Sequence, residues 1–330
     1  MLPVEGAIRA SQQPRVTVGL VTWNSAGYLA SCLAGIERQL YPNLDLVVVD
    51  NASQDESLSL VRRLAPEAQL IENQENLGYC RAQNQAIGAS QAPYFLPLNP
   101  DVTLDPGYVA GLVAALESRP DFGSAVGKIW LQGEQAPRHL DGTGLFIDRR
   151  RHQYLRGHGQ ADEGQFDQPG EVFGADGAAP LYRRQMLEDL RLFGKVFDEA
   201  FFAYMEDVDL AWRARLFGWR AWYEPAATAV HDRSFRPGKR RQMPPELRRL
   251  AVKNRYLMLL KNEGGPTWRR DWWRILSYDL RILGYILLAE RSSLGAFRLL
   301  RGQVQTARQW RRAIQARLQA GEEDRLRWFE

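Results

Sequence analysis

The chain has 330 residues, of which 45% are hydrophobic and 25% charged, as in an ordinary globular protein. This length allows one large domain with an appendage, or two domains. The two cysteines, Cys32 and Cys80, exclude a cysteine-rich metal site by their spacing and suggest a reducing compartment. Residues 1–14 lack the apolar core of a signal peptide, so we interpret them as a short disordered tail and expect a cytoplasmic protein.

The charge is distributed unevenly along the chain. Residues 233–330 carry 23 Lys and Arg against 9 Asp and Glu, whereas residues 1–232 carry 20 against 30. An acidic body with a basic tail indicates that the tail binds an anionic partner, such as a membrane surface or a nucleic acid.

Strands and helices are predicted to alternate through residues 15–232. The predicted strands are 16–23, 45–50, 69–73, 94–98, 122–131 and 219–230, and the helices between them end near residues 39, 64, 89, 118 and 217. Residues 133–170 are rich in Gly, Gln, His and Arg and are predicted to form a loop or hairpin excursion. The alternation predicts an α/β fold with a Rossmann-like, mostly parallel sheet and helices on both faces.

A single aspartate follows the most apolar of these strands. Residues 94–98 form a buried strand that breaks at Asn99 and Pro100, and Asp101 comes next. The carboxyl end of a central strand is where open α/β sheets bind ligands, and a carboxylate there can hold a divalent cation against a diphosphate. The alternative is a strand that ends in a turn chosen for its turn chemistry alone.

Three carboxylates, Glu206, Asp207 and Asp209, open the helix that ends near residue 217. They could simply stabilise the positive end of the helix dipole. The aromatic residues among 201–204 would instead desolvate them and raise their proton affinity, as a general base on a substrate hydroxyl requires. We predict that Asp207 is the base and that Glu206 orients the acceptor.

His231 ends the last predicted strand and is followed by Asp232. A lone histidine is more often a packing or hydrogen-bonding residue, but an imidazole beside Asp101 could complete a cation site.

Two further segments suggest nucleotide binding. Asp50 and Asn51 follow the second strand; Asp50 could accept the imide N–H of a pyrimidine base, or the pair could form only a turn and helix cap. Asn76 to Gly78 offers backbone N–H groups near a helix start, and Arg81 could reach a phosphate.

Together these segments resemble family 2 glycosyltransferases of the GT-A fold, especially the rhamnosyltransferase-like branch. The resemblance covers about residues 15–232 and rests on Val18–Asn24, Val49–Asp55, Glu75–Tyr79 with Asn84, Leu98–Val102, Gly177–Ala179 with Arg183 and Arg184, and Phe197–Phe202 with Glu206–Leu210.

The resemblance implies that a sugar moves from a nucleotide diphosphate donor to an acceptor hydroxyl, with inversion at the anomeric carbon. It implies Mg²⁺ or Mn²⁺ at Asp101 and His231, and Asp207 as the base with Glu206 beside it. The donor site that it implies comprises Thr22, Asn24, Asp50, Asn51, Asn76, Gly78, Arg81, Asn84 and Asn99, and the acceptor site Asp176, Gly177 and Asp209. Asn99 replaces the first carboxylate of the Asp-x-Asp motif, which leaves the metal with fewer protein ligands.

The branch suggests dTDP-L-rhamnose as the donor, with a UDP- or GDP-sugar as the alternative. It suggests a saccharide acceptor, free or carried on a polyprenyl lipid, in the synthesis of bacterial surface polysaccharide.

The basic extension, residues 233–330, carries no comparable motif. Helices are predicted over 247–260 and 272–288, and the charges of Arg274, Asp279 and Arg281 argue against a membrane-spanning segment, which needs about twenty nearly uncharged residues. A Trp-rich amphipathic helix suits the interface of an anionic bilayer on the inner face of the cytoplasmic membrane. The alternatives, which can hold at the same time, are packing on the catalytic domain or a homodimer.

Two other classes of protein are alternatives for this sequence. A nucleotidyltransferase would need a lysine in the loop after the first strand, and residues 22–27 have none. A nucleic-acid-binding protein led by the basic tail would need a recognisable binding motif, and the acidic body would repel phosphate, so we expect no nucleic-acid partner.

Overall fold

The computed structural model describes residues 13–133, 138–233, 240 and 243–329. Almost all of the predicted tail, residues 1–14, therefore lies outside the described residues. The strands in the described ranges are β1 Val16–Thr22, β2 Leu44–Asp50, β3 Gln69–Glu72, β4 Tyr94–Leu98, β5 Val102–Leu104, β6 Phe122–Leu131, β7 Leu140–Gly142, β8 Leu145–Ile147, β9 Gln153–Leu155, β10 Gly170–Val172, β11 Leu181–Arg183 and β12 Arg220–His231. The helices are α1 Ala26–Glu37, α2 Ser57–Leu64, α3 Tyr79–Ala89, α4 Tyr108–Glu117, α5 Arg184–Asp189, α6 Glu206–Leu216, α7 Pro245–Asn262, α8 Pro266–Ala289, α9 Gly295–Ala316 and α10 Glu322–Arg327.

One large sheet organises the molecule. Its strand order is β10-β12-β6-β11-β4-β1-β2-β3, with β5 on β12 and β7 on β6. Strands β4, β1, β2 and β3 are parallel neighbours, and β12 runs parallel to β6. Strand β11 is antiparallel to both β4 and β6, which joins the two parallel parts. The predicted mixed, mostly parallel sheet is confirmed.

The central strands are buried because helices cover both faces of the sheet. All seven residues of β1 and all five of β4 are buried, which matches their continuous apolar and β-branched sequences. Because β1, β2 and β4 are parallel, their carboxyl ends meet at one edge of the sheet. That edge carries the predicted donor residues.

Strand β5 was not predicted, and it shapes the region of the predicted metal ligands. It follows the turn at residues 99–101 and pairs antiparallel with the end of β12, so that Val102 lies opposite His231. The register of β12 against β6 shifts between Glu224 and Thr228, around Pro225, as is common where a proline interrupts a strand.

The C-terminal helices pack on the sheet domain through buried side chains of α7 and α9. Leu257 and Met258 of α7 and Trp310 and Ile314 of α9 belong to the main hydrophobic core. None of the helices in the described residues is both long and apolar enough to cross a membrane.

Candidate active site

The predicted donor residues from β1 and β2 lie side by side. The backbone N–H of Asn51 donates to the Thr22 carbonyl over 2.9 Å, and the N–H of Asn73 donates to the Asp50 carbonyl over 2.9 Å. The hydroxyl of Thr22 is buried without a hydrogen-bond partner among the described residues. A buried hydroxyl without a partner is unusual and is consistent with a group that awaits a ligand.

Asp50 and Asn24 are both engaged in the loop that follows β2. The Asp50 carboxylate accepts hydrogen bonds from the Ser53 hydroxyl (2.6 Å) and backbone N–H (3.0 Å), which is the turn-forming alternative for this residue. The Asn24 side-chain oxygen accepts from the Gln54 N–H over 2.7 Å. These bonds fix the loop in place, and a base-reading role for Asp50 stays a prediction.

The loop before α3 depends on Gly78. This residue has φ +82°, and a Cβ there would lie 2.5 Å from a ring carbon of Phe202. The Asn76 side chain accepts the Gly78 N–H over 2.9 Å, and Asn51 donates to the Gly78 carbonyl over 3.3 Å. The segment is thus tied to the donor edge, and Arg81 lies exposed one turn into α3.

Asn84 does not face the donor edge with a free amide. Its side chain donates to the Phe197 carbonyl (2.8 Å) and accepts from the N–H groups of Val196 and Phe197 (3.2 and 2.9 Å). The oxygen and the nitrogen of the Asn84 amide are both hydrogen-bonded to the backbone of residues 196–197. Asn84 therefore supports the loop, and we remove it from the donor site.

The structure brings Asp101 and His231 together, although 130 positions separate them. His231 Nε2 lies 3.1 Å from an Asp101 carboxylate oxygen, and His231 Nδ1 lies 2.7 Å from the carboxylate of Asp141. Arg233 donates to both oxygens of Asp141, over 2.8 and 3.0 Å. The imidazole is held by a carboxylate on each side.

Burial alone would lower the pKa of His231, but the hydrogen bonds to Asp101 and Asp141 outweigh it and raise the pKa to about 9. Burial would raise the pKa of Asp141, but its hydrogen bonds with His158 and His231 hold that pKa well below its usual range. Asp141 thus stays a carboxylate and orients the ring.

Among the described residues, no group of three or more His, Cys, Asp and Glu side chains is arranged to hold a metal ion. Asp101 and His231 would offer two ligands once Nε2 of His231 has given up its proton, and the bond from Nδ1 to Asp141 directs Nε2 towards Asp101, as second-shell carboxylates do for histidine ligands. Asp101 keeps one-fifth of its side-chain surface exposed. These residues fit a cation that takes its remaining ligands from a diphosphate.

Asn99 connects this part of the site to Asp207. The Asn99 N–H donates to the Ala178 carbonyl over 3.0 Å, and the neighbouring Gly177 N–H donates to the Asp207 carboxylate over 2.9 Å. A Cβ on Gly177 would come within 3.1 Å of that carboxylate. The turn after β4 and the start of α6 are therefore linked through the backbone of residues 177–178.

The carboxylates in this region have raised proton affinity. Burial, followed by repulsion from Asp207, raises the pKa of Glu206 to about 8, and one Glu206 oxygen is buried with no hydrogen-bond partner in the part of the chain that the structure describes. Burial also raises the pKa of Asp207, although N–H groups of Val208 and Gly177 oppose the shift. Burial, followed by the charge of Asp141, raises the pKa of Asp176 to about 6. Burial therefore favours the protonated form of both Glu206 and Asp207, and at Asp207 the two N–H donors oppose it.

Asp209 lies away from this region. Its carboxylate accepts hydrogen bonds from Arg213 (3.0 Å), Lys261 (2.9 Å) and Asn262 (2.7 Å), and its side chain is almost fully buried. Burial would raise the pKa of Asp209, but Lys261 and Arg213 lower it. Asp209 anchors α6 to α7, and we remove it from the acceptor site.

Asp141 and Arg233 were missed by the sequence reasoning. Asp141 lies in the excursion of residues 133–170, whose sequence carries no helix or strand periodicity that would connect it to His231. Arg233 follows His231 in the chain, but its target could not be inferred without Asp141.

Comparison with known proteins places this geometry in a family. The model of Glycosyl transferase family 2 matches residues 17–191. The chain is 28% identical over 287 residues to N-acetylglucosaminyl-diphospho-decaprenol L-rhamnosyltransferase of Mycobacterium tuberculosis, which covers 79% of this chain and 87% of that protein.

Solved structures share the fold. The mannosyltransferase PcManGT from Pyrobaculum calidifontis, in complex with GDP-Man and Mn²⁺, has a TM-score of 0.54 at 20% identity, covering 96% of this chain and 89% of that one. TarS 1–349 from S. aureus has a TM-score of 0.56 at 16% identity, covering 92% of this chain and 83% of that one. With the sheet order and a family match over more than half of its length, the chain is a GT-A glycosyltransferase that belongs to glycosyl transferase family 2.

Proposed function

We propose that the protein transfers L-rhamnose from dTDP-L-rhamnose to a hydroxyl of a saccharide, carried on a polyprenyl diphosphate, during the synthesis of bacterial surface polysaccharide. The similarity to a rhamnosyltransferase supports the choice of sugar and acceptor. The observation on which the reaction rests is the pair of hydrogen bonds through Asn99–Ala178 and Gly177–Asp207, because they join the predicted metal ligands and the predicted base in one region.

In this proposal Asp207 takes the proton from the attacking hydroxyl. Its two backbone donors, Gly177 and Val208, favour the ionised form against burial and fix the direction of the carboxylate. Neutral Glu206 donates a hydrogen bond to the acceptor, for which its unpartnered oxygen is suited. A hydroxyl deprotonated on the face opposite the leaving diphosphate gives inversion at the anomeric carbon.

Asp101 and His231 would hold Mg²⁺ or Mn²⁺. Such a cation would offset the charge that builds on the leaving diphosphate. Asp141 holds Nδ1 of His231 and so directs Nε2 towards Asp101, and Asp141→Asn should therefore weaken Mn²⁺ binding about tenfold or more, as measured by calorimetry. Unchanged Mn²⁺ affinity in both Asp141→Asn and Asp101→Asn would contradict the assignment.

The transfer reaction is tested with purified protein, Mg²⁺ and a panel of dTDP-, UDP- and GDP-sugars. With a polyprenyl-diphosphate N-acetylglucosamine acceptor, we expect dTDP-L-rhamnose to give an inverted product whose anomeric configuration is read by NMR. Asp207→Asn should lower kcat by about 10²–10⁴-fold, the range for loss of a general base, while donor binding is retained.

Asp121→Asn serves as the matched control, because Asp121 is exposed and pairs only with Arg220 among the described residues. It should keep kcat within about twofold. If the protein used a UDP- or GDP-sugar instead, the proposed donor would be wrong and the proposed transfer reaction would stand. If it used none of these donors, the proposal would be rejected.

We also propose that the extension of residues 233–330 lies on an anionic membrane through α8. Six exposed apolar side chains recur at helical spacing along this 24-residue helix, about 36 Å long, and form what we name the α8 stripe: Trp268, Trp272, Trp273, Leu276, Leu280 and Leu287. Beside it, a groove of about 340 Å³ is lined by Tyr256, Leu283, Leu294 and Phe297 together with part of the stripe. Aromatic and aliphatic side chains on one helix face are typical of interfacial helices.

The charges of α8 favour a bilayer over a second copy of the chain. Its two carboxylates are engaged, Asp271 with arginines that include the buried Arg151 and Asp279 with Arg255. Arg269 and Arg281 are exposed, and Arg269 pairs with the exposed Glu322. A twofold dimer would set this face against itself and bring arginine close to arginine. Anionic headgroups would attract the same arginines.

Vesicle sedimentation tests the membrane contact. We expect binding to phosphatidylglycerol-containing vesicles, weaker binding at high salt, and loss of binding when Trp272 and Trp273 are changed to Ser. Leu40→Ser, at an exposed leucine on another face, is the control and should bind like the wild type. A concentration-dependent dimer that the tryptophan variant abolishes, without vesicle binding, would overturn the proposal.

A further inference from the structure

The turn that leads into Glu206 and Asp207 has an unusual backbone. Phe202, Tyr204 and Met205 have φ of 67°, 68° and 64°. This left-handed region is uncommon for residues other than glycine, and three such residues within four positions need support from their surroundings. The position of the first residues of α6 therefore depends on the contacts that stabilise this turn.

A side chain of α7 holds it. The Asn254 amide nitrogen lies within hydrogen-bond distance of the carbonyls of Phe201 (3.1 Å), Ala203 (2.7 Å) and Tyr204 (2.7 Å). The adjacent Lys253 ammonium donates to the Ala200 carbonyl. Four carbonyls of one turn thus depend on two consecutive residues of another element.

Of these four carbonyls, that of Phe201 also accepts the Ala203 N–H over 2.9 Å, so the carbonyls of Ala203 and Tyr204 depend most on Asn254. Met205, at the N-cap position of α6, makes no side-chain capping bond. The Phe202 carbonyl, which points to the other side, accepts the Cys80 N–H over 3.1 Å. Asn254 itself is fully buried, so loss of its amide would leave the part-buried carbonyls of Ala203 and Tyr204 without this donor, a costly arrangement.

We propose that Asn254 is a positioning residue for the transfer reaction: by fixing the turn of residues 201–205, it places Glu206 and Asp207 opposite Gly177. This proposal rests on the proposed function and extends it to a residue outside both the family match at 17–191 and the predicted catalytic domain. The extension therefore contributes to the active site besides any contact with a membrane.

The chemistry sets the expected size of the effect. A displacement of about 1 Å of a reacting group can reduce the rate about 10²-fold. Asn254→Ala should therefore lower kcat by about 10–10²-fold, whereas the KM for the donor should change by less than about threefold. Asn254→Asp keeps the shape but removes the donor, so it should be as impaired as Asn254→Ala, and Asn254→Gln should recover part of kcat.

Asn262 provides a matched control on the same helix. It is also a buried asparagine, but its amide donates to Asp209 and to the Met258 carbonyl and makes no contact with the turn. Asn262→Ala should lower the Tm much as Asn254→Ala does and leave kcat within about threefold. Equal losses of kcat in the two variants would show that Asn254 acts through general stability.

Hydrogen exchange tests the positioning role of Asn254 independently of the transfer reaction. In Asn254→Ala the amides of residues 200–208 should exchange at least tenfold faster than in the wild type, with little change there in Asn262→Ala. This readout needs no substrate, so it stays informative if the wild type transfers no sugar. Unchanged exchange in residues 200–208, or full kcat in Asn254→Asp, would overturn the proposal.

Discussion

Replacing Glu206 by Gln should change how the stability of the protein depends on pH. Burial and the neighbouring Asp207 raise the pKa of Glu206 from 4.5 to about 8. Between these two values the folded chain binds a proton at Glu206 that the unfolded chain has released. The free energy of unfolding therefore falls as pH rises from about 4.5 to about 8, and stays reduced above that.

The structure gives the size of the effect. A shift from 4.5 to about 8 corresponds to about 5 kcal/mol at 1.36 kcal/mol per pKa unit. Glu206 keeps part of its surface in contact with solvent, and screening by water reduces the penalty, so we expect about 2 kcal/mol. Gln at position 206 cannot ionise and avoids this penalty. Glu206→Gln should thus be about 2 kcal/mol more stable than the wild type at pH 8.5 and within about 0.5 kcal/mol of it at pH 4.5.

Urea unfolding followed by tryptophan fluorescence measures this difference, since the chain has 10 tryptophans. Glu246→Gln is the control, because Glu246 is exposed on α7 and pairs with Arg249, and it should differ from the wild type by less than about 0.5 kcal/mol at both pH values. If Glu206→Gln were equal to or less stable than the wild type at pH 8.5, the reasoning about its burial would be refuted.

Two further substitutions test the packing around the site. Gly78→Ala places an alanine with positive φ against the Phe202 ring. It should lower the free energy of unfolding by about 2 kcal/mol and weaken donor binding measured by calorimetry. If neither value changed, the packing of this loop would be contradicted. Lys261→Met leaves Asp209 with less compensating charge in a buried cluster and should cost about 3 kcal/mol in urea unfolding. A cost below about 1 kcal/mol would mean that Arg213 alone suffices for Asp209.

The sequence predicted the sheet well because its signal is local. Continuous β-branched runs such as residues 16–22 are buried on both faces, and the structure contains them as central strands. Since parallel strands present their carboxyl ends at one edge, the proximity of Thr22, Asp50 and Asp101 followed from strand order alone. The family motifs fixed the same positions independently.

Contacts between distant segments were decided only by the tertiary structure. Strand β5 and the bulge in β12 determine that His231 meets Asp101, and strand β7, which the sequence did not predict, supplies Asp141 on the other side of the ring. In the same way, α7 occupies the carboxylate of Asp209, which the sequence had assigned to the acceptor.

There is a physical reason why the sequence predicts local elements but not the contacts between distant residues. Hydrophobic periodicity and turn residues act over a few positions, so the amino-acid sequence by itself determined the long strands β1, β2, β4, β6 and β12, most helices and the sheet edge at which we expect the donor to bind. A buried polar side chain is defined by its partner, and the partners of Asn84, Asp209 and Asn254 lie about 50 to 110 residues away along the chain. Only the folded chain decides which carboxylates and amides face the substrate and which hold the elements together.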